Sequence, residues 1–431
     1  MSFPFSKKLS MFFLKTQHFN KRSIINGLVL SILLSSFIYL DYFNISFKLL
    51  DTVLALASVF LLLKYSKSDL FFTGFFVGIF WFWWFINSLQ YYDLNYLAPL
   101  IILGLGIFYG LSFLILGVFK NIYFKAILIS LFLFYAPFGF DWLKLDLIFI
   151  NSYLNSSKLS FILVLIGFLI LFENRLKSFR IIAILPFILA LSFSQSFLKN
   201  ENQQTVLTKN DFPKIYMSQF YINQDLRWQK ENFKKINRLV LDEIYKAIDK
   251  KYDLIVLPET IFTFVLSDYK SLFEELKILS NDIDIIAGSI YKENNSYYNA
   301  SYFFSKENVQ IAKKVVLVPF GEEIPLPKFM QDFINKLFYG GASDLAKANF
   351  PTDFLVKDTK FRNAICYEGT NDKIYEDLNG VENMIMISNN AWFTPSIEPT
   401  LQHLLLKYYS SKYNINIFHI VNGSENRVYK R

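Results

Sequence analysis

One cysteine and three histidines are all the chain offers in 431 residues. A lone thiol, Cys366, can close no intrachain disulfide and build no cysteine-rich metal site, and three imidazoles argue against a histidine-based zinc site. Charge is scarce in one half only: residues 1–200 carry 16 Lys/Arg and 7 Asp/Glu, against 28 and 29 in residues 201–431. The formal +8 therefore divides into +9 and −1, so the excess belongs to the apolar half and is no footprint of nucleic-acid binding. Internal repeats, low-complexity tracts and phosphate-binding glycine loops are also lacking. With 53% hydrophobic and 19% aromatic residues, disorder, a coiled coil and a disulfide scaffold are excluded as well.

What fills the first half is hydrophobic length. Apolar segments at residues 24–40, 46–63, 70–87, 96–118, 122–140, 159–172 and 180–197 predict seven spans. Segment 46–63 carries Lys48 and Asp51, and segment 159–172 is short for ~30 Å of hydrocarbon. The first span is no cleavable signal peptide, because further spans follow and no small-residue cleavage pattern closes it. With the N-terminus inside, twelve of the sixteen cations fall on the inner side, from Lys7 to Arg22, at Lys64, Lys67, Lys120 and Lys125, and from Arg175 to Arg180. The outer side keeps Lys48, Lys144, Lys158 and Lys199 with Asp41, Asp93, Asp141 and Asp146. By the positive-inside rule, residues from about 200 onward lie on the far side of the membrane, which in a bacterium is the periplasm. Few ionisable groups lie within the spans, so an ion pathway has little to run on; Asp51 is the exception and reads first as an interfacial residue near a helix end. Gly74 and Gly78, four apart in an aromatic run, predict either a close helix approach or lipid-facing bulk.

The sequence thus divides into a transmembrane domain over 1–200, a polar linker over 201–213 and a second domain over 214–431. In that domain short apolar runs alternate with amphipathic stretches. Strands are predicted at 214–219, 253–257, 283–288, 301–304, 314–318, 362–366 and 383–388. Helices are predicted at 229–249, where Phe233, Ile236, Leu239, Val240, Ile244, Ala247 and Ile248 recur at spacings of three and four, and near 401–412. Such alternation favours a layered α/β domain large enough for its own core.

Three of these runs end in residues able to do acyl chemistry. The first is Leu257-Pro258-Glu259, the second is Lys314 leading to Leu317-Val318-Pro319-Phe320-Gly321-Glu322, and the third is Ile365-Cys366-Tyr367-Glu368. A thiolate is a strong nucleophile, a carboxylate can take its proton, and an ammonium can stabilise a tetrahedral oxyanion. Such a trio needs neither metal nor cofactor. Singly each residue is weak evidence: a lone cysteine is more often a small buried hydrophobe, a glutamate after a strand a solvated loop residue, and a lysine beside Lys313 a surface charge.

Their contexts and their intervals of 55 and 52 residues resemble the Glu-Lys-Cys triad of the nitrilase (carbon–nitrogen hydrolase) superfamily. With a multi-span half in front, the chain resembles more narrowly the apolipoprotein N-acyltransferase family. Arg227-Trp228, Tyr298-Asn299, Leu317 to Glu322, Asn390-Ala391-Trp392-Phe393 and Gln402-His403-Leu404 carry that narrower likeness. There are departures. Asn390 stands where the family commonly has Asp, Thr394 where it has Gly, His419 to Gly423 follows the family pattern only in part, and no hydrophobic stretch follows the domain where the family usually ends in another helix.

The resemblance implies an αββα sandwich on a multi-span helical membrane domain, in the bacterial inner membrane with the catalytic domain periplasmic. It implies a ping-pong transfer of an acyl chain from a phospholipid, through a thioester on Cys366, to the N-terminal amine of a diacylglyceryl-cysteine apolipoprotein. Glu259 would be the general base and Lys314 the oxyanion cation. Glu322 would hold the Lys314 ammonium or the substrate amine, and Glu368 would project beside Cys366 if the strand continues, with a structural hydrogen bond as the competing role. Trp228, Trp392 and Phe393 match aromatic positions near the family's lipid portal, with core packing the alternative for each. The enzyme is expected to act as a monomer without cofactor. The competing readings are a membrane-tethered amidase using water as second acceptor, and a non-enzymatic receptor or transporter with an α/β sensing domain.

Overall fold

The structure, a computed structural model, describes residues 20–173, 179–191, 212–329, 331 and 345–431. These form two compact units. One is drawn from residues 20–86, 94–134 and 151–191, the other from residues 87–93, 135–150 and 212–431.

The first unit is helical. Its main helices are α1 (Lys21–Tyr42), α2 (Lys48–Lys64), α3 (Lys67–Phe82), α4 (Ala98–Leu116), α5 (Ile122–Phe132) and α6 (Lys158–Phe172). Among the described residues, four helical stretches, Lys21–Tyr42, Lys67–Tyr92, Asn95–Leu116 and Ile122–Gly139, are long and apolar enough to cross a membrane. Helices α2 and α6, of 17 and 15 residues, fall short of the ~20 residues a perpendicular span requires. Of the predicted segment 180–197, residues 180–191 are described and hold two short helices, Phe179–Ile182 and Ile184–Leu189; residues 192–197, the linker up to residue 211 and the inner cations Lys7, Lys8, Lys15, Arg175 and Lys177 lie outside the described residues. Ser66 starts α3 through a reciprocal capping box with Asp69, which fixes where this uniformly apolar helix begins. The two glycines of α3 are there for close approach. A Cβ on Gly74 would sit 2.2 Å from the Tyr109 carbonyl oxygen, and one on Gly78 would sit 2.6 Å from that of Leu105, so α3 and α4 meet backbone to backbone. Asp51 does lie in the first turn of its helix, but buried, with Ser46 Oγ donating to it at 2.7 Å.

The second unit is built from two stacked sheets. One has the order β1 (Ile215–Met217), β2 (Leu254–Val256), β4 (Asp284–Glu293), β5 (Ser296–Ser305), β6 (Asn308–Lys313), with β3 (Phe262–Val265) paired on β4. The other has the order β11 (Arg427–Tyr429), β10 (Asn416–Asn422), β9 (Asn383–Asn389), β8 (Thr359–Ile365), β7 (Asp353–Val356). In both, a parallel core (β1, β2 and β4; β8, β9 and β10) is flanked by antiparallel strands.

Alternation along the strands decides which face each side chain joins. Leu254 and Val256 of β2 face the second sheet, where they pack with Ile286, Phe354, Ile365, Ile385, Ile387 and Ile420. Ile255 faces the other way, with Ile285 and Ala287, onto helices α7 (Phe233–Asp249) and α8 (Lys270–Leu279) through Ile236, Val240, Ile244 and Leu276. Helix α9 (Glu398–Tyr413) packs against β10 and β11 of the second sheet. The result is four layers, helix, sheet, sheet and helix, the expected αββα sandwich.

One predicted strand is absent. The run from Lys314 to Val318 looks like β structure from its valines and leucine, yet β6 stops at Lys313. The N–H groups of Val315 and Val316 instead donate to Glu368 Oε2, and that of Val318 to Glu322 Oε2. Carboxylates have taken the place of a neighbouring strand.

Candidate active site

Each chemically capable residue sits just past a strand end. The chain leaves β2 at Val256, and Leu257-Pro258 carry it to Glu259 in the buried interior. Gly288 of β4 lies beneath this loop, and a Cβ there would be 2.5 Å from the Thr260 nitrogen, so only glycine lets the loop settle so low. Arg227, itself buried, donates through Nη2 to the carbonyl oxygens of Glu259 (2.9 Å) and Thr260, and to Thr260 Oγ1 (3.1 Å). On the opposite sheet β8 ends at Ile365, and the chain turns at once into the 3-10 segment Cys366–Thr370. Cys366 has φ 55°, a left-handed conformation that a side-chain-bearing residue holds only under surrounding constraint, and the residue is partly buried.

Lys314 is fully buried between acids. Its Nζ is 2.7 Å from Glu322 Oε2 and 4.0 Å from Glu259 Oε1. Asn299 of β5 donates from one amide nitrogen to Glu259 Oε1 at 2.7 Å and to Glu322 Oε1 at 3.2 Å. Burial would strip the proton from Lys314, but the charges of Glu322 and Glu259 outweigh it and hold the ammonium above its ordinary pKa. Burial raises Glu259, opposed first by Lys314. Burial and the Glu259 charge push the Cys366 thiol well above its usual value, with Lys314 pulling the other way. At rest the sulfur thus carries its proton and needs a base beside it.

The structure therefore brings Glu259, Lys314, Glu322 and Cys366 into one electrostatic cluster. Glu368 reaches the same cluster by a different route from the one expected. The strand does not continue past Cys366, so no strand alternation aims Glu368 beside it. Its carboxyl turns back instead and accepts from the N–H of Ile365 (2.7 Å), Val315 (2.7 Å) and Val316 (3.1 Å). Burial pushes its pKa up to about 7 against Lys314 and those three donors. Glu368 ties the segment after Lys314 to the segment bearing Cys366.

The aromatic candidates differ among themselves. Trp228 is half exposed, at 49%. Trp392 is partly buried and meets the rings of Tyr91 (centroids 5.2 Å) and Tyr92 (6.2 Å, stacked), while the carbonyl of Phe393 accepts from Asn87 Nδ2 at 2.8 Å. Asn390 donates to Gln402 Oε1 (3.1 Å) and Ser424 Oγ (3.2 Å), bonds that an aspartate, an acceptor only, could make only in reverse, accepting from the Gln402 amide and the Ser424 hydroxyl. Sequence reasoning passed over three buried residues. Arg227 and Asn299 stood in noted strings but with no role, and Glu398, 2% exposed at the start of α9, was read as nothing at all. The one signal for Glu398 was a carboxylate followed by Pro399 just ahead of the helix predicted near 401–412. Among the described residues, no group of three His, Cys, Asp or Glu is placed to hold a metal.

A thiol just past one strand end, a buried carboxylate past another and an ammonium between acids form the constellation that the resemblance to carbon–nitrogen hydrolases implies. A carbon–nitrogen hydrolase family model matches residues 219–415, and one for the apolipoprotein N-acyltransferase integral membrane domain matches residues 21–193. Proteins named apolipoprotein N-acyltransferase are similar along most of their length. That of Wolinella succinogenes is 40% identical, covering 94% of this chain and 95% of its own, and that of Helicobacter pylori is 40% identical over 87% and 86%. That of Campylobacter jejuni is 37% identical over 94% and 89%. The chain belongs to the apolipoprotein N-acyltransferase family, and is a multi-pass membrane enzyme with a nitrilase-fold domain.

Proposed function

We propose that the protein completes lipoprotein maturation by moving a fatty acyl chain from a phospholipid to the α-amine of a diacylglyceryl-cysteine apolipoprotein. The observation that carries this reading is the pairing of a buried Glu259–Lys314–Cys366 cluster with a membrane half of the acyltransferase type, since both substrates are lipids held in a bilayer.

In the first half-reaction Glu259 takes the Cys366 proton, the thiolate attacks the ester carbonyl carbon, and the Lys314 ammonium stabilises the oxyanion. The carbon–oxygen bond breaks, Glu259 returns its proton to the departing oxygen, and a lysophospholipid leaves a thioester on Cys366. In the second half-reaction the acceptor nitrogen attacks that thioester, the carbon–sulfur bond breaks, and Glu259 carries a proton from nitrogen to sulfur. Thiolate is a better leaving group than alkoxide, so no nucleotide is consumed. Glu322 keeps Lys314 charged, and Glu368 holds the loop in register. Trp228, Trp392 and Phe393 guide the lipid. The reading includes a monomer in the bacterial inner membrane, with spans over 1–200 and a periplasmic catalytic domain over 214–431, as the bias of Lys and Arg toward one side supports.

Incubation with phospholipid labelled in its acyl chain tests this. The expected result is a hydroxylamine-sensitive adduct on Cys366, lost in Cys366→Ser, that passes to a diacylated peptide amine. Release of free fatty acid or ammonia with no acylated peptide would overturn it.

A further inference from the structure

Of the four buried or half-buried glutamates around Cys366, three are accounted for. Glu259 and Glu322 have Lys314 and Asn299, and Glu368 has three backbone N–H groups. Glu398 has none of these. It is 2% exposed, and its Oε2 is buried without a hydrogen-bond partner among the described residues. One turn further along the same face of α9, Gln402 uses its Oε1 on Asn390 while its Nε2 is likewise buried and unpartnered. Burying a carboxyl with nothing to bond costs stability that a leucine would not forfeit. The charged or titratable neighbours of α9 on other elements meet other positions: Asp146 accepts from Tyr408 at 2.9 Å, and Tyr429 pairs with His403 at 3.0 Å. Helix α9 packs against the 3-10 segment Cys366–Thr370 that carries the thiol, and in keeping with this the Glu259 charge raises Glu398 while the Glu398 charge raises Cys366.

The proton count of the second half-reaction supplies the missing partner; this step rests on the acyl-transfer reading above. An acceptor α-amine arrives as R–NH3⁺ and ends as an amide N–H, so two protons must leave its nitrogen. Glu259 carries one to sulfur. The other needs a second base, which hydrolysis by neutral water would not require. We propose that Glu398 is that base: its carboxylate docks the acceptor ammonium beside the Cys366 thioester and takes the first proton, leaving a neutral amine to attack. The proton leaves Glu398 for water once the amide product departs. Burial and then the Glu259 charge push Glu398 up to about 8 in the empty site, close to the ~7.7–8.0 of an α-amine, so a proton passes between them at little cost. The positive end of α9 favours the carboxylate form when the ammonium arrives.

The test separates the half-reactions in the full-length Glu398→Gln enzyme, loaded with labelled phospholipid and chased with a diacylglyceryl-cysteine peptide. Acyl-enzyme should form at the wild-type rate. Transfer to the peptide should be roughly 10-fold slower near pH 7, where only about a tenth of the free α-amine is neutral, with the gap closing by about pH 9, where nearly all of it is. Chase by hydroxylamine, a weakly basic amine, should be unaffected, and Glu398→Asp should recover part of the loss. Transfer at the wild-type rate, a defect that does not change with pH, or a matching loss of acyl-enzyme formation would each overturn the proposal. Failure of the wild-type enzyme to form any acyl-enzyme would instead sink the acyl-transfer reading on which it rests.

Discussion

Lys314 Nζ lies 2.7 Å from Glu322 but 4.0 Å from Glu259. The closer acid neutralises the ammonium, and the more distant one stays free to collect a proton from sulfur. Glu322→Gln removes that division of labour, because Lys314 then has Glu259 as its remaining carboxylate. Acyl-enzyme formation should fall by roughly 10²-fold, the scale on which a misdirected transition-state charge is felt. Removing one partner of a buried ion pair also costs ~3–5 kcal/mol, so the thermal midpoint in detergent should drop. The burst of lysophospholipid measures the first effect; an unchanged burst would show that Glu322 does not set the charge of the pair.

The acid limb of the rate should report Glu259. Burial raises its pKa above the ordinary carboxylate value, and it is the ionised form that acts as base. Acylation is therefore complete above that raised pKa and is lost as pH falls through it, earlier than an exposed glutamate would allow. Asn299 donates to the ionised form, so Asn299→Leu should move the limb to still higher pH. Because burial and Glu259 also raise the thiol, no inflection from a free Cys366 thiolate is expected near neutrality. A pH profile of single-turnover acylation decides both points, and a limb that stays put in Asn299→Leu would remove the amide from this role.

The division by charge and hydropathy, the helix over Phe233–Asp249 and the strand ends before Glu259 and Cys366 were legible because each depends on periodicity or on residue type at a fixed place. What escaped depends on contacts made across the fold. The run after Lys314 has strand propensity, but two carboxylates from distant positions capture its N–H groups. Glu368 could not be aimed without knowing that the chain turns at Cys366, a left-handed residue that nothing local demands. The buried partners of the triad, Arg227 and Asn299, look in sequence like any surface Arg or loop Asn.

Arg227 holds the backbone under the general base. Its pKa falls to about 10 through burial, opposed by Glu259, so it remains a cation at neutral pH. Arg227→Lys keeps the charge yet loses the planar fork whose Nη2 reaches the Glu259 and Thr260 carbonyls while Nη1 donates to Gln224 Oε1 at 3.3 Å. Hydrogen bonds to charged groups are worth ~1.5–3 kcal/mol each, so the variant should melt earlier and acylate slowly. A variant with wild-type acylation would mean that Pro258 and Gly288 fix the loop without help.

The aromatic candidates should separate by their surroundings. Trp228 presents half its surface to solvent, so Trp228→Ala should leave the thermal midpoint unchanged while raising KM for the phospholipid. Trp392 is partly buried and pairs with the rings of Tyr91 and Tyr92, contacts worth ~0.5–1.5 kcal/mol each beyond the area they bury. Trp392→Ala should therefore lower the midpoint and reduce kcat as the segment from Asn390 to Phe393 loosens. If it instead raised KM alone with an unchanged midpoint, Trp392 would touch the lipid directly and the tyrosines would be positioning it for that contact.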